Sequence, residues 1–361
     1  MKKKYLKTAV VGCGRVAEHY LKFFKKKQIK NIRLEAFCDL NLEKAKKFAK
    51  IFSCRHYKSY QLMLSENKFD LVLILTPSGS HYEQCKFFLK KNTNILCEKP
   101  LTLRPSQSIE IFNLAKKRKL MCGVLFQNRL NPSINLLKKA VDQKRFGKIV
   151  KVSISVLWCR YQEYYNDEWH GTWKNDGGVI NQQAIHHIDV LRWLFGPVKK
   201  LSSTLTNRIN KLEAEDTAAV ILKFKDGCLG TIEATTAARP KDLHASLSVV
   251  GEKGTAVISG VALNEVKIWD FINKRKEDNN VKKEFSERVP NGYGFSHKTY
   301  LNIVSKNLLS GNISVPVSAK ESYETTKIIH AIYLSDKKNK WIKINDKVLF
   351  DKLGKGKNKI K

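Results

Sequence analysis

The sequence predicts an α/β protein of two domains: an N-terminal doubly wound parallel sheet and a C-terminal α+β domain with a mostly antiparallel sheet. Over the first third, short apolar runs alternate with amphipathic stretches, which is the pattern of βαβ units. After Pro132 the pattern changes to longer strands of alternating apolar and polar residues, several joined by glycine turns. A length of 361 residues fits two domains, each large enough to bury its own core.

In the first domain, strands are predicted near Thr8–Val11, Arg33–Cys38, Leu71–Leu75, Asn94–Cys97 and Leu120–Val124, with helices between them. A helix from Pro132 to about Gln143 precedes strands at Ile149–Trp158, Thr217–Phe224, Leu229–Ala237, Ala245–Val250 and Thr255–Ser259. Asp226-Gly227 and Glu252-Lys253-Gly254 supply turns. Two late helices, about Phe295–Leu309 and Ala319–Ser335, are expected to cover this sheet. There is no internal repeat and no Pro- or Ser-rich linker, so the domains are assigned to 1–128 and 129–346, joined directly near Asn128. The basic stretch 347–361 is expected to be a disordered tail.

The formal charge of +34 raises the question of nucleic acid, but its distribution argues against it. Lysines outnumber arginines and spread along helix faces such as Leu21–Lys30, Asn41–Lys50 and Phe87–Lys91, with no basic stripe carrying interleaved aromatics. They read as a solvated surface that aids solubility and steers anions. Purely apolar runs such as Leu71–Leu75 are far too short to span a bilayer, and Met1-Lys2-Lys3-Lys4-Tyr5 does not resemble a signal peptide. The expectation is a cytoplasmic protein without a membrane partner. The eight cysteines form no C-x-x-C pair and no metal-ligand spacing, so neither disulfides nor a metal is expected.

Val11-Gly12-Cys13-Gly14-Arg15-Val16-Ala17 is a G-x-G-x-x-A between the first strand and the first helix. This is the position of the phosphate-binding turn of a Rossmann domain. Gly12 permits the tight turn, Gly14 lets the backbone approach a pyrophosphate, and the helix start at Arg15 and Val16 offers free N–H groups. The second strand ends in Cys38-Asp39, where a carboxylate would accept hydrogen bonds from adenosine ribose hydroxyls and repel a 2′-phosphate. The expected cofactor is NAD. The alternative is that Asp39 caps the helix beginning near Asn41.

Ligands of open α/β sheets sit outside the carboxyl ends of the strands. Two more strand ends therefore join the candidate cofactor site: Thr76-Pro77-Ser78-Gly79-Ser80-His81, represented by Thr76, Pro77 and His81, and Glu98-Lys99-Pro100. Gln127 is assigned to the same group. Oxidising an alcohol needs a base for the hydroxyl proton while hydride leaves to a nicotinamide. Lys99 suits that role: beside a positive nicotinamide ring and partly desolvated, its amine is expected to titrate below the usual lysine range.

In the second domain, Gly177-Gly178-Val179-Ile180-Asn181-Gln182-Gln183-Ala184-Ile185-His186-His187-Ile188-Asp189 places amides and an imidazole at a predicted helix start. Gln182 and His186 stand four apart, on one face if the helix has begun, and His187 points elsewhere, as a core histidine would. His186 is the candidate to share the substrate proton with Lys99. Asp189 reads as a group that binds backbone or orients a neighbour.

Together, Gly12–Ala17, Glu98-Lys99-Pro100 and Gly177–Asp189 resemble the glucose–fructose oxidoreductase/inositol dehydrogenase (Gfo/Idh/MocA) family over about Lys7 to Asn345. The resemblance implies a Rossmann domain, a second domain with a large open antiparallel sheet, and NAD(P)-linked oxidation or reduction of a sugar or cyclitol carbon. The family lysine falls on Lys99 and its active-site histidine on His186. Where many members carry Asp four residues before that histidine, this chain has Gln182. An amide takes no proton, so it would position a sugar hydroxyl.

The segments Tyr164–Trp173, Asn291–His297 and Phe126-Gln127-Asn128-Arg129 further resemble the branch that includes UDP-N-acetyl-2-amino-2-deoxyglucuronate 3-dehydrogenases. This implies a UDP-linked sugar oxidised at C3 in surface-polysaccharide biosynthesis. The substrate-binding candidates are Lys99, Asn128, Arg129, Trp169, Trp173, Asn181, Gln182, His186 and His297. Arg129 would grip a uronate or diphosphate, or else bridge the domains. Trp169 and Trp173 would stack on sugar or merely pack. The alternatives are an inositol, aldose or glycoside dehydrogenase of the same family, and a non-catalytic NAD-binding sensor or scaffold. A homodimer or homotetramer is expected.

Overall fold

Six strands, β1 (Leu6–Val11), β2 (Ile32–Cys38), β3 (Arg55–Tyr57), β4 (Leu71–Ile74), β5 (Asn94–Cys97) and β6 (Cys122–Val124), form one parallel sheet in the order β3-β2-β1-β4-β5-β6. The structure is a computed structural model and describes residues 4–355. β4 is buried at all four positions, as a strand covered on both faces must be. The strand order reverses between β1 and β4, so the carboxyl ends of these strands flank the switch point where doubly wound sheets bind ligands.

Eight strands form a second sheet: β7 (Ile149–Leu157), β8 (Val198–Thr206), β9 (Thr217–Phe224), β10 (Leu229–Thr235), β11 (His244–Gly251), β12 (Gly254–Ser259), β13 (Glu265–Phe271) and β14 (Ile342–Lys343). Their order is β13-β12-β11-β7-β10-β9-β8-β14, antiparallel except for β7 beside β10. β9 shows why one face is core. Ala218, Val220, Leu222 and Phe224 are buried, while Ala219, Ile221 and Lys223 are exposed. Sequence reading missed β3, β8, β13 and β14. In Val198–Thr206 a register shift between Val198 and Lys200 breaks the alternation that would have marked β8.

The chain divides into two units differently from the expected 1–128 and 129–346. The first comprises Met1–Phe126 with His297–Glu324, and the second Gln127–Ser296 with Thr325–Lys361. The late segment joins the first unit because β6 is a three-residue edge strand that needs partners. Val124 N–H donates to the Val317 carbonyl at 3.0 Å. The Tyr300 hydroxyl donates to the Val124 carbonyl at 2.8 Å. The helix Ser296–Leu309, expected over the antiparallel sheet, thus lies almost wholly in the first unit. The helix Ala319–Lys338 does reach that sheet, where Ser203 Oγ donates to the Ile332 carbonyl and Leu205 N–H to Asp336.

The expected disordered tail is corrected over residues 347–355. Val348, Phe350 and Leu353 are buried, and Phe350 stacks on Tyr333 at 5.2 Å. Phe350 N–H donates to His330, and Gly354 N–H to the Trp173 carbonyl. The lysines hid this apolar triplet. Residues 356–361 lie outside the described residues. Among the described residues, no helix is long and apolar enough to cross a membrane, no His/Cys/Asp/Glu group could hold a metal, and every cysteine is free.

Candidate active site

In the first unit, Gly12 has φ +97°, and a Cβ there would lie 2.6 Å from the Leu75 carbonyl carbon and oxygen. Only glycine fits so close a strand-end approach. At Gly14 nothing stands within 4 Å of a Cβ position, and Gly14 leads into the helix Arg15–Lys25, whose N-terminus no side chain caps. Open space beside an uncapped helix start, two residues beyond a turn only glycine can make, fits a pyrophosphate.

Asp39 accepts the Cys13 N–H at 2.7 Å on Oδ2 and the Asn41 N–H at 2.8 Å on Oδ1. The helix Leu42–Phe52 is capped instead by Asn41, whose side chain accepts from Glu43 and Lys44. The carboxylate therefore ties the phosphate turn to the end of β2 and remains partly exposed, with further lone pairs for ribose hydroxyls.

His81 is fully buried. Its Nδ1 lies 2.7 Å from the Pro100 carbonyl and its Nε2 2.8 Å from the Thr76 carbonyl. This corrects the expectation that it faces the cofactor: the ring sits between two carbonyl acceptors, and a neutral imidazole, with one N–H, donates to one of them at a time. Burial pulls its pKa down. The Thr76 hydroxyl donates to Gln84 at 2.6 Å. Glu98 is buried, accepting from the Tyr20 hydroxyl at 2.9 Å and from Lys99 N–H at 3.2 Å. Burial raises its pKa, and Lys99 opposes the rise. Lys99 is partly exposed.

His297, expected at the substrate, is also buried, its ring 4.9 Å from Tyr20 and 5.0 Å from His19. Burial and His19 hold its pKa well below the usual range.

In the second unit, Gln127, Asn128 and Arg129 form a buried 3-10 turn. Arg129 donates to Asp189 from Nε at 2.6 Å and from a terminal nitrogen at 2.8 Å. Asp189 also accepts from Thr325 at 2.9 Å. The two-pronged face expected to grip a uronate or diphosphate is thus committed to Asp189, which orients a neighbour rather than reacting. The side-chain oxygens of Gln127 and Asn128 are buried without a partner among the described residues. Such acceptors call for a donor from a ligand or water.

The Gly177–Asp189 segment is not one helix. A turn at Val179–Gln182 ends at Gln183, and a second helix, Ile185–Phe195, begins after Ala184. From Asn181 to Val190 every residue is buried except Gln182 and His186, which stay partly exposed. His187 is fully buried against Trp158, and burial lowers its pKa to about 4. Asn181 donates to the Asp176 carbonyl, while its own side-chain oxygen is buried without a partner among the described residues. Trp169 lies against His170 at 3.6 Å, and Trp173 against Tyr333 and Phe350 at 5.1 and 5.2 Å. Trp173 therefore anchors the C-terminal segment. Sequence reading missed Tyr20, which donates to Glu98, and Glu215 and Tyr333, which accept the Ile180 and Gly178 N–H groups. The Gly177-Gly178 pair was the signal that some group must come close there.

Two family models cover most of the chain. The oxidoreductase-family NAD-binding Rossmann fold matches residues 6–126, and the oxidoreductase-family C-terminal alpha/beta domain matches 138–344. The chain belongs to the Gfo/Idh/MocA oxidoreductase family. This family member is an NAD-dependent oxidoreductase.

Among solved structures it is similar to the WlbA dehydrogenase of Chromobacterium violaceum in complex with NADH and UDP-GlcNAcA. The identity is 32%, covering 96% of this chain and 98% of that one, with a TM-score of 0.88. It is likewise similar to the Bordetella pertussis WlbA dehydrogenase bound to the same pair: 30% identity, 96% and 99% coverage, TM-score 0.90. An inositol 2-dehydrogenase/D-chiro-inositol 3-dehydrogenase of Lactiplantibacillus plantarum is 22% identical over 83% of both chains. An uncharacterized oxidoreductase of Synechocystis sp. is 27% identical over 62% of this chain, a match spanning 64% of that protein's length.

Proposed function

We propose that this Gfo/Idh/MocA member oxidises the C3 hydroxyl of a nucleotide-activated sugar such as UDP-N-acetylglucosaminuronate, in surface-polysaccharide biosynthesis. The observation that carries the reading is its similarity, at 32% and 30% identity over 96% of its length, to two dehydrogenases crystallised with NADH and UDP-GlcNAcA. Its own residues supply supporting chemistry.

Bound NAD supplies the hydride acceptor. Lys99 takes the hydroxyl proton on Nζ as the carbon's hydrogen leaves with its electron pair, and a carbonyl forms. His186 shares the proton, and Gln182, which can donate and accept hydrogen bonds but not carry the charge, orients the hydroxyl. Gln127, Asn128 and Asn181 offer side-chain oxygens that still need donors, as sugar or ribose hydroxyls would be. Trp169 is a candidate stacking surface for the sugar. On this reading the protein works in the cytoplasm as a homodimer or homotetramer.

The inositol dehydrogenase at 22% identity supports a second reading, oxidation of a free polyol. The test follows NADH formation with UDP-N-acetylglucosaminuronate, UDP-N-acetylglucosamine, myo-inositol and glucose. Turnover confined to the UDP-uronate is expected. A preference for inositol would establish the second reading, and NAD binding without turnover of any compound would favour a sensor.

A further inference from the structure

Glu215 precedes β9 in sequence and has no place in the chemistry above, yet it sits on the start of the segment that carries Gln182 and His186. Its backbone carbonyl accepts the Val179 N–H at 3.0 Å, and its Oε1 accepts the Ile180 N–H at 2.9 Å. The Tyr333 hydroxyl donates to the same Oε1 at 3.1 Å and itself accepts the Gly178 N–H at 3.2 Å. Successive N–H groups at Gly178, Val179 and Ile180, which open the turn Val179–Gln182, are thus satisfied by two distant residues, since no local side chain caps that turn.

The glycines are shaped to this pair. A Cβ at Gly178 would lie 2.1 Å from the Glu215 carbonyl oxygen and 2.4 Å from its carboxyl carbon. At Gly177, with φ +87°, a Cβ would come within 3.0 Å of the Tyr333 hydroxyl. Glu215 and Tyr333 are both buried, and Tyr333 is held in turn by Trp173 and Phe350.

The geometry points to Glu215 as a positioning residue for the reaction: seated on Gly178 and held by Tyr333, it fixes where the turn Val179–Gln182 begins and so the direction in which Gln182 and His186 are presented. The inference rests on the proposed roles of Gln182 and His186. Burial raises the Glu215 pKa to about 8 and Asp336 adds to the rise, while Ile180 N–H and the Tyr333 hydroxyl oppose it. Asp176, which raises the Tyr333 pKa, and Asp216, the next residue in sequence, are further nearby acids. Near neutral pH the group is therefore an uncharged acid, and glutamine is its close mimic. The Glu215 Oε2 has no partner among the described residues, so ionising there would leave a buried charge without compensation.

The experiment compares wild type with Glu215→Ala, Glu215→Gln and Tyr333→Phe. It measures kcat and KM for NAD and for UDP-N-acetylglucosaminuronate, together with amide hydrogen exchange over 178–182. Expected for Glu215→Ala are lost protection at Val179 and Ile180, a kcat lower by about tenfold to a hundredfold, and an unchanged KM for NAD. Glu215→Gln should restore most of kcat and remove the alkaline fall expected of wild type as Glu215 ionises at about pH 8. Should Glu215→Ala not fold, Tyr333→Phe decides, because it keeps the ring stack and loses only the hydroxyl; a several-fold loss of kcat is expected. Wild-type kcat in a folded Glu215→Ala, or in Tyr333→Phe, overturns the proposal. Failure of the underlying reading looks different: His186→Ala would keep full turnover, while the exchange data still showed Glu215 holding the turn.

Discussion

Tyr20 and Glu98, separated by 78 positions, meet in a buried hydrogen bond of 2.9 Å that fixes the loop carrying Lys99. Glu98 accepts a hydrogen bond from the Tyr20 hydroxyl on one oxygen and from the Lys99 backbone N–H on the other. Tyr20→Phe deletes one hydroxyl and leaves a buried carboxyl oxygen without its donor. Destabilisation by about 1–3 kcal/mol in urea unfolding is expected, with a several-fold loss of kcat as the loop loosens. An unchanged kcat in a destabilised variant would confine the pair to a stability role.

Lys99→Met removes the amine and keeps the stem's bulk. Turnover should fall by about a hundredfold or more, while calorimetric NAD affinity stays near that of wild type. More than a few per cent of residual turnover would take the proton-acceptor role away from Lys99.

Asp39→Ala takes away both the acceptor for Cys13 N–H and the charge that would face a 2′-phosphate. NAD affinity should drop, and the preference for NAD over NADP should narrow. Equal losses for both cofactors would mean that Asp39 shapes the turn without reading the ribose.

Arg129→Ala strands Asp189 in a site where neither side chain is more than 2% exposed. Loss of one partner of such a pair costs about 3–5 kcal/mol. The double replacement Arg129→Met with Asp189→Leu should recover part of this, measured by urea unfolding.

His187 gives a pH prediction. Burial lowers its folded-state pKa from 6.5 to about 4, so between those values the unfolded chain binds a proton that the native state does not. Stability should therefore fall as pH drops from 6.5 towards 4. His187→Gln should show a shallower acid limb, and an identical slope in both proteins would mean that another group drives acid unfolding.

Much of the architecture was legible because burial imposes a period. The continuous apolar run in β4 and the alternation in β9 both follow from which faces are covered. The fingerprint was legible because Gly12 and Asp39 answer local geometric demands. Function is less visible when a residue works through a distant partner. Nothing in the sequence separates His81, buried between two carbonyls, from a histidine that meets a ligand. His297 reads as polar although its burial depends on Tyr20 and His19, far away in the chain. The break at Gln183 was hidden because Val179–Asp189 contains no residue that excludes helix.

The return of His297–Glu324 to the first unit bears on how the protein is made. During synthesis β6 leaves the ribosome long before Val317, the acceptor of its Val124 N–H, and before Tyr300, which donates to the Val124 carbonyl. The nucleotide-binding unit therefore cannot close its sheet edge by the vectorial, domain-by-domain route open to a contiguous N-terminal domain. Its last strand must wait, unpaired on one side, until Tyr300 and Val317 have been translated.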